Sequence, residues 1–179
     1  MSRPERSFGA SSSRGAGQAA SSNAPGPPPL RPFGLVLRHD GRFLHEGEPI
    51  RNRKLREHFE RSVEYLPEEA KFIVRLGHFR GQIEVEEAGF FVRSIELETG
   101  EIALSDGSRE RLDVASLALS PIDGALLCRV KRALVPAGLA ARFTGSAQAE
   151  LLLAVEEIEG RSLLKLGKEV VPLPELDGG

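Results

Sequence analysis

From Leu30 onward the large apolar side chains come in short alternating runs, separated by the dipeptides Asp40-Gly41, Thr99-Gly100, Asp106-Gly107 and Asp123-Gly124. Alternation is the period of a half-buried strand, and these dipeptides tolerate the positive φ angles of tight turns. Phe33, Leu35 and Leu37 alternate, as do Phe72, Val74 and Leu76, while Ile83 and Val85 alternate with Glu84 and Glu86. Much of the chain therefore reads as an antiparallel meander.

Met1 to Pro32 is different: it is mostly Ser, Gly, Ala, Pro and Arg, with Pro27-Pro28-Pro29 near its end. Such a segment cannot bury enough apolar area to offset an ordering cost of about 1–2 kcal/mol per residue. It reads as a disordered arm over residues 1–32, or as a docking ligand for a proline-reading domain. The foldable remainder, about 145 residues, is large enough to bury a core without disulfides or metal.

Two stretches carry the helical period. Leu55, Phe59, Val63 and Leu66 form one apolar stripe, which predicts a helix over Asn52–Leu66, capped by Asn52 and stopped by Pro67. Ala147, Leu151, Ala154 and Ile158 predict a second over Gly145–Glu159. After the first comes Ile73-Val74-Arg75-Leu76-Gly77; after the second, ninety positions on, comes Leu163-Leu164-Lys165-Leu166-Gly167. The expectation is an α+β protein of two similar units over 33–120 and 121–173, each antiparallel strands plus one main helix, with a tail at 174–179. A two-residue turn at Asp40-Gly41 would pair Leu37 with Leu44 and His39 with Arg42. The pattern over 114–119 fits a short helix or a strand.

Chemistry is largely excluded by what is missing. The sequence holds neither a G-x-x-x-x-G-K-[ST] loop nor a G-x-S-x-G elbow, and Cys128 is its one cysteine. His39, His45, His58 and His78 lack metal-ligand spacing, so they read as surface or boundary residues and neither a metal nor a cofactor is expected. Cys128 lies in an apolar run and reads as an inert core thiol, which fits a cytoplasmic protein. Glu84 and Glu86 could share a proton or a cation, but they read as the wet side of a strand. No apolar run is long enough for a membrane helix.

Charge offers one lead. The net charge is −2; without the first thirty residues, which hold Arg3, Arg6, Arg14 and Glu5, 21 basic residues face 25 acidic ones. This balance disfavours nucleic-acid binding. Arg51, Arg53, Lys54, Arg56 and Arg61 interleave with Glu57, Glu60 and Glu64, as on a salt-bridged helix face. Arg129, Lys131, Arg132 and Arg142, by contrast, lie in a stretch without any acid between Asp123 and Glu150. They are the candidate site for a small anionic ligand or a protein partner.

The motifs Asp40-Gly41-x-Phe43-x-x-x-Gly47-x-Pro49-Ile50, Ile83-x-Val85-Glu86-Glu87-x-x-Phe90, Arg129-Val130-Lys131 and Arg142-Phe143 resemble a bacterial family catalogued as a domain of unknown function, number twelve eighty-five of that series. Phe43 stands where that family usually has tryptophan, Glu87 for aspartate and Gly89 for proline. The resemblance spans roughly Phe33 to Leu173 and implies two similar α+β halves, with a signalling or regulatory role and no defined ligand. The resulting expectation is a binding or regulatory module. The alternatives are an enzyme whose site is assembled from distant residues, a nucleic-acid binder using the basic residues, and a structural partner in a larger assembly.

Overall fold

The computed structural model describes residues 30–175. Most of the expected N-terminal arm and the last four residues lie outside that range. The first strand, β1 (Arg31–Leu37), starts two residues before the expected onset at Phe33. It pairs antiparallel with β2 (Phe43–His45), which pairs with the short β3 (Glu48–Pro49). The helix α1 (Arg53–Arg61) follows, then a meander of β4 (Val63–Leu66), β5 (Lys71–Leu76) and β6 (Phe79–Val85). β6 returns to lie parallel to β1, so one six-stranded sheet runs β3-β2-β1-β6-β5-β4.

The first hairpin is one residue out of the expected register: Leu37 pairs with Phe43 and Val36 with Leu44. Of the turn residues only Gly41 has positive φ, at 82°, whereas a two-residue type I′ turn needs two such residues. The Asp40 carboxylate instead accepts the Arg42 N–H at 3.0 Å, and the Arg38 N–H donates to the Arg42 carbonyl at 2.9 Å, giving a three-residue loop. Because strand side chains alternate, that slip puts Phe43 rather than Leu44 beside Leu35 and Leu37 in the core.

Both helices are shorter than their apolar stripes. Asn52 caps α1 as expected, accepting from the Leu55 N–H. The helix ends at Ser62, whose N–H donates to the Phe59 carbonyl and whose hydroxyl donates to the His58 carbonyl. Val63, Tyr65 and Leu66 continue as strand, with Val63 opposite Val74. The second helix, α2 (Gly145–Leu153), likewise stops at Ala154, and β13 (Val155–Ile158) follows. A four-residue apolar spacing is satisfied in each case by a two-turn helix followed at once by a β-branched strand.

The second sheet is built from β7 (Phe90–Glu96), β8 (Glu101–Leu104), β9 (Arg109–Arg111), β10 (Ala118–Leu119), β11 (Leu126–Val130) and β12 (Leu139–Phe143), in the order β10-β11-β12-β7-β8-β9. It spans the position expected to divide the units, because β10 and β11 neighbour each other across residues 120 and 121. Residues 114–119 hold both of the alternatives, a 3₁₀ turn at Val114–Ser116 and then β10. After α2, the strands β13, β14 (Arg161–Leu166) and β15 (Glu169–Pro172) make a separate three-stranded sheet. The architecture is therefore α+β, with two similar units that each place one helix beside a six-stranded sheet.

One hydrophobic core joins both units, from Leu37, Phe43 and Phe59 through Phe90 and Ile102 to Leu151 and Leu164. The Phe43 and Phe59 rings meet at 5.5 Å between centroids and pin α1 to the first hairpin. Burying one such side chain contributes about 1.5–3 kcal/mol. Cys128 is in this core, 1% exposed, and burial pushes its thiol pKa up to about 12. It is the inert thiol that its apolar run suggested.

Candidate functional site

The four expected basic residues do not stand free of acids. Arg142 is buried; it donates to Glu87 at 2.7 Å and also pairs with Asp123. Lys131 meets Asp106 at 2.8 Å and Glu110 at 3.5 Å, and Arg132 meets Asp113 at 2.7 Å. Arg129 lies near Arg142 on one face of the second sheet, since the neighbouring pairs are Leu127–Arg142 and Arg129–Ala140. Its side chain makes no ion pair among the described residues. The acid-free stretch is real in sequence and is neutralised in space. Glu87 comes from just before β7, and Asp106, Glu110 and Asp113 from the β8–β9 turn, β9 and the residues after it, a placement that local charge counting cannot see.

The arginine-rich concavity lies elsewhere. A cleft of about 590 Å³ opens between the first hairpin, α1 and the second sheet. Arg42 reaches it from the hairpin loop, Arg53, Arg56 and Arg61 from one side of α1, and Arg93 from β7. Asp40, Glu57 and Glu60 share the lining, so five positive charges face three negative ones. Arg42 pairs with Asp40 at 2.5 Å, Arg53 with Glu57 at 2.7 Å, and Arg93 with Glu60. Arg56 and Arg61 make neither an ion pair nor a side-chain hydrogen bond among the described residues. The sequence placed these arginines on a salt-bridged helix face, which holds for Arg53 alone of the five basic residues on or before α1.

A second arm of about 330 Å³ shares Asp40, Gly41, Glu60 and Arg93 with that cleft. It is lined further by His39, Arg142 and Gln148. The His39 Nδ1 lies 2.8 Å from a Glu86 oxygen that also accepts the His39 backbone N–H at 2.8 Å. A carboxylate can only accept, so Nδ1 carries the proton. These bonds, the backbone one foremost, hold the Glu86 carboxyl below the usual carboxylate range. Arg38 adds a contact at 3.1 Å. The parallel pairing of Leu37 with Val85 brings His39 and Glu86 together, and no sequence spacing advertises that juxtaposition. Glu84 is exposed and makes no ion pair among the described residues. Among those residues no three His, Cys, Asp or Glu side chains gather as a metal site would need. No helix among them is long and apolar enough to cross a membrane.

By its layers the molecule is a two-unit α+β protein with an arginine-lined cleft at the junction of its units. Its fold is that of a DUF1285 family protein from Silicibacter pomeroyi DSS-3, whose crystal structure matches with a TM-score of 0.57 and 20% identity over 82% of each chain. The resemblance drawn from short motifs is thereby met at the level of the fold. A DUF1285 family protein from Shewanella baltica OS155 is also similar, at TM-score 0.46 and 12% identity, covering 68% of this chain and 91% of that one. No family model matches the sequence, and no curated protein does.

Proposed function

We propose that this protein is a cytoplasmic binding or regulatory module whose cleft between the first hairpin, α1 and β7 takes a small anionic ligand. The observation that carries the reading is the pair Arg56 and Arg61, two guanidinium groups on a concave wall that make no ion pair among the described residues, although both lie near enough to Glu57 for it to feel their charge. A guanidinium offers donors in a planar fork that suits phosphate, sulfate and carboxylate groups. Arg53 and Arg93, already held by Glu57 and Glu60, present the rest of their forks to the same space. The four basic residues of the second unit are the weaker candidates, because three of them already satisfy protein carboxylates.

The test is calorimetry and thermal shift on the full chain with inorganic sulfate, pyrophosphate and nucleotides. A ligand at a hundredfold excess over its Kd stabilises the protein by about 2.7 kcal/mol. The double variant Arg56→Ala, Arg61→Ala should lose that stabilisation, while Arg129→Ala should keep it. If none of these anions raises Tm, or if the double variant binds as the parent does, the cleft is not the site.

A further inference from the structure

We propose that His39 couples anion capture in the cleft to the uptake of one proton; this rests on the cleft being the ligand site. Its Nδ1–H is committed to Glu86, which fixes the ring at the wall of the second arm and leaves Nε2 without a partner among the described residues. In the neutral ring Nε2 is a bare acceptor that repels an anion. In the imidazolium it becomes a donor. One proton thus reverses what the wall offers to the same ligand.

The local charge balance makes that proton decisive. Arg93 and Arg142 line the second arm together with Asp40 and Glu60, so the arm is formally neutral when His39 is neutral and positive when it is charged. Outside the lining, Glu86 and Arg38 face the ring from its Nδ1 side. Asp123, paired with Arg142, lies near enough to feel the charge on His39, as does Asp40. An arriving anion favours an imidazolium over a neutral ring. Gln148 adds a neutral donor: its carbonyl accepts the Leu126 N–H at 3.0 Å, and its amide N–H groups make no other bond among the described residues. The ligand that gains most is a compact dianion, because Arg93, Gln148 and the imidazolium all line the one arm.

Sulfate is the probe, since it does not titrate between about pH 5.5 and 8, where an ordinary imidazole changes charge near 6.5. Its affinity for the full chain should fall as pH rises, by up to about tenfold per unit where one proton is linked. His39→Asn keeps an amide donor near the Nδ1 position and removes Nε2. Its sulfate affinity should be independent of pH and close to the alkaline value of the parent. Glu86→Gln, which leaves Nε2 in place, should keep the pH dependence. Binding that Arg56→Ala, Arg61→Ala abolishes but that is flat with pH, or equally steep in His39→Asn, overturns the proton coupling and leaves the cleft reading standing. Sulfate that binds at no pH overturns both.

Discussion

The block α1-β4-β5-β6 and the block α2-β13-β14-β15 are built alike and used differently. Asn52 and Thr144 each cap a nine-residue helix by accepting the N–H three residues on. Ser62 and Ala154 each end it, and their carbonyls each accept an N–H from the second strand of the meander, Arg75 or Lys165, at 3.0 Å. Val74 and Leu164 are both fully buried, and Gly77 and Gly167 turn the chain at φ 58° and 56°. The third strands then part company. β6 is stitched in parallel to β1, with Phe33 lying where a side chain on Gly81 would be. β15 closes a sheet of its own, and the residues that correspond to Gly81, Gln82 and Glu84 are Val171, Pro172 and Pro174. Valine leaves no room for a stacked ring, and proline has no N–H for a neighbour. The block supplies its own local order, and the chemistry of one strand edge decides how it joins the rest.

The largest effect should come from the position two residues before each helix cap, Ile50 in one block and Arg142 in the other. Arg142→Ile would copy the first block into the second and strand the buried Glu87 without its cation. A broken buried pair costs about 3–5 kcal/mol, read as a shift in the urea midpoint. If Arg142→Ile is as stable as the parent, the guanidinium is not holding the second unit together.

The turn glycines should separate next. A Cβ on Gly77 meets nothing within 4 Å, whereas on Gly167 it would lie 2.3 Å from the Glu98 carbonyl oxygen. Gly77→Ala should lose only the left-handed backbone preference, roughly 1–2 kcal/mol. Gly167→Ala should lose at least roughly 1 kcal/mol more, because backbone must move to admit the methyl group. Equal losses would mean that the third sheet does not rest on the β7–β8 turn.

A smaller change in stability, under about 1 kcal/mol, is expected when Pro172→Gln and Pro174→Glu give β15 the edge of β6. Its readout is association, because a restored row of N–H groups is a template for pairing. Sedimentation of the double variant should show stronger concentration-dependent self-association than the parent. A variant that stays as the parent does would place the block to pairing elsewhere on the strand.

The smallest expected effect is one of pH. Asp123 is held below the ordinary carboxylate range chiefly by its hydrogen bond from Arg142. A lowered folded-state pKa gives stability that is present above the unfolded value, about 3.9, and is lost as pH falls through the folded one. Asp123→Asn should therefore lower stability slightly at neutral pH, leave it nearly unchanged at the acid end where the carboxyl is protonated, and so flatten the acid limb between them. An acid limb identical to the parent's would remove Asp123 from the account.

What the sequence disclosed followed from spacing, and what it hid followed from pairing. Alternation placed the strands around Phe33–Leu37, Phe72–Leu76 and Ile83–Val85, and the Asn52 cap was visible from its neighbours. The stripes Leu55–Leu66 and Ala147–Ile158 overran, because a strand that starts immediately after a helix can extend an i, i+4 pattern by accident. The slip at Asp40-Gly41 came from one carboxylate-to-amide bond, invisible to a rule about dipeptides. The second basic set looked unopposed since its carboxylates lie from 19 to 55 positions away. The cleft was obscured for the converse reason: Glu57 and Glu60 sit beside the α1 arginines in sequence, yet they satisfy only Arg53 and Arg93.

The parallel pairs β1–β6 and β7–β12 also set a timetable for synthesis. Each sheet is closed by a strand emerging some fifty residues after the one it must lie beside, with Val85 completing the first and Phe143 the second. During translation β1 and β7 wait with one edge open, and loop closure over that length has to precede any gain from the pairing. The ribosome therefore releases a half-sheet twice, and each time the missing strand arrives last.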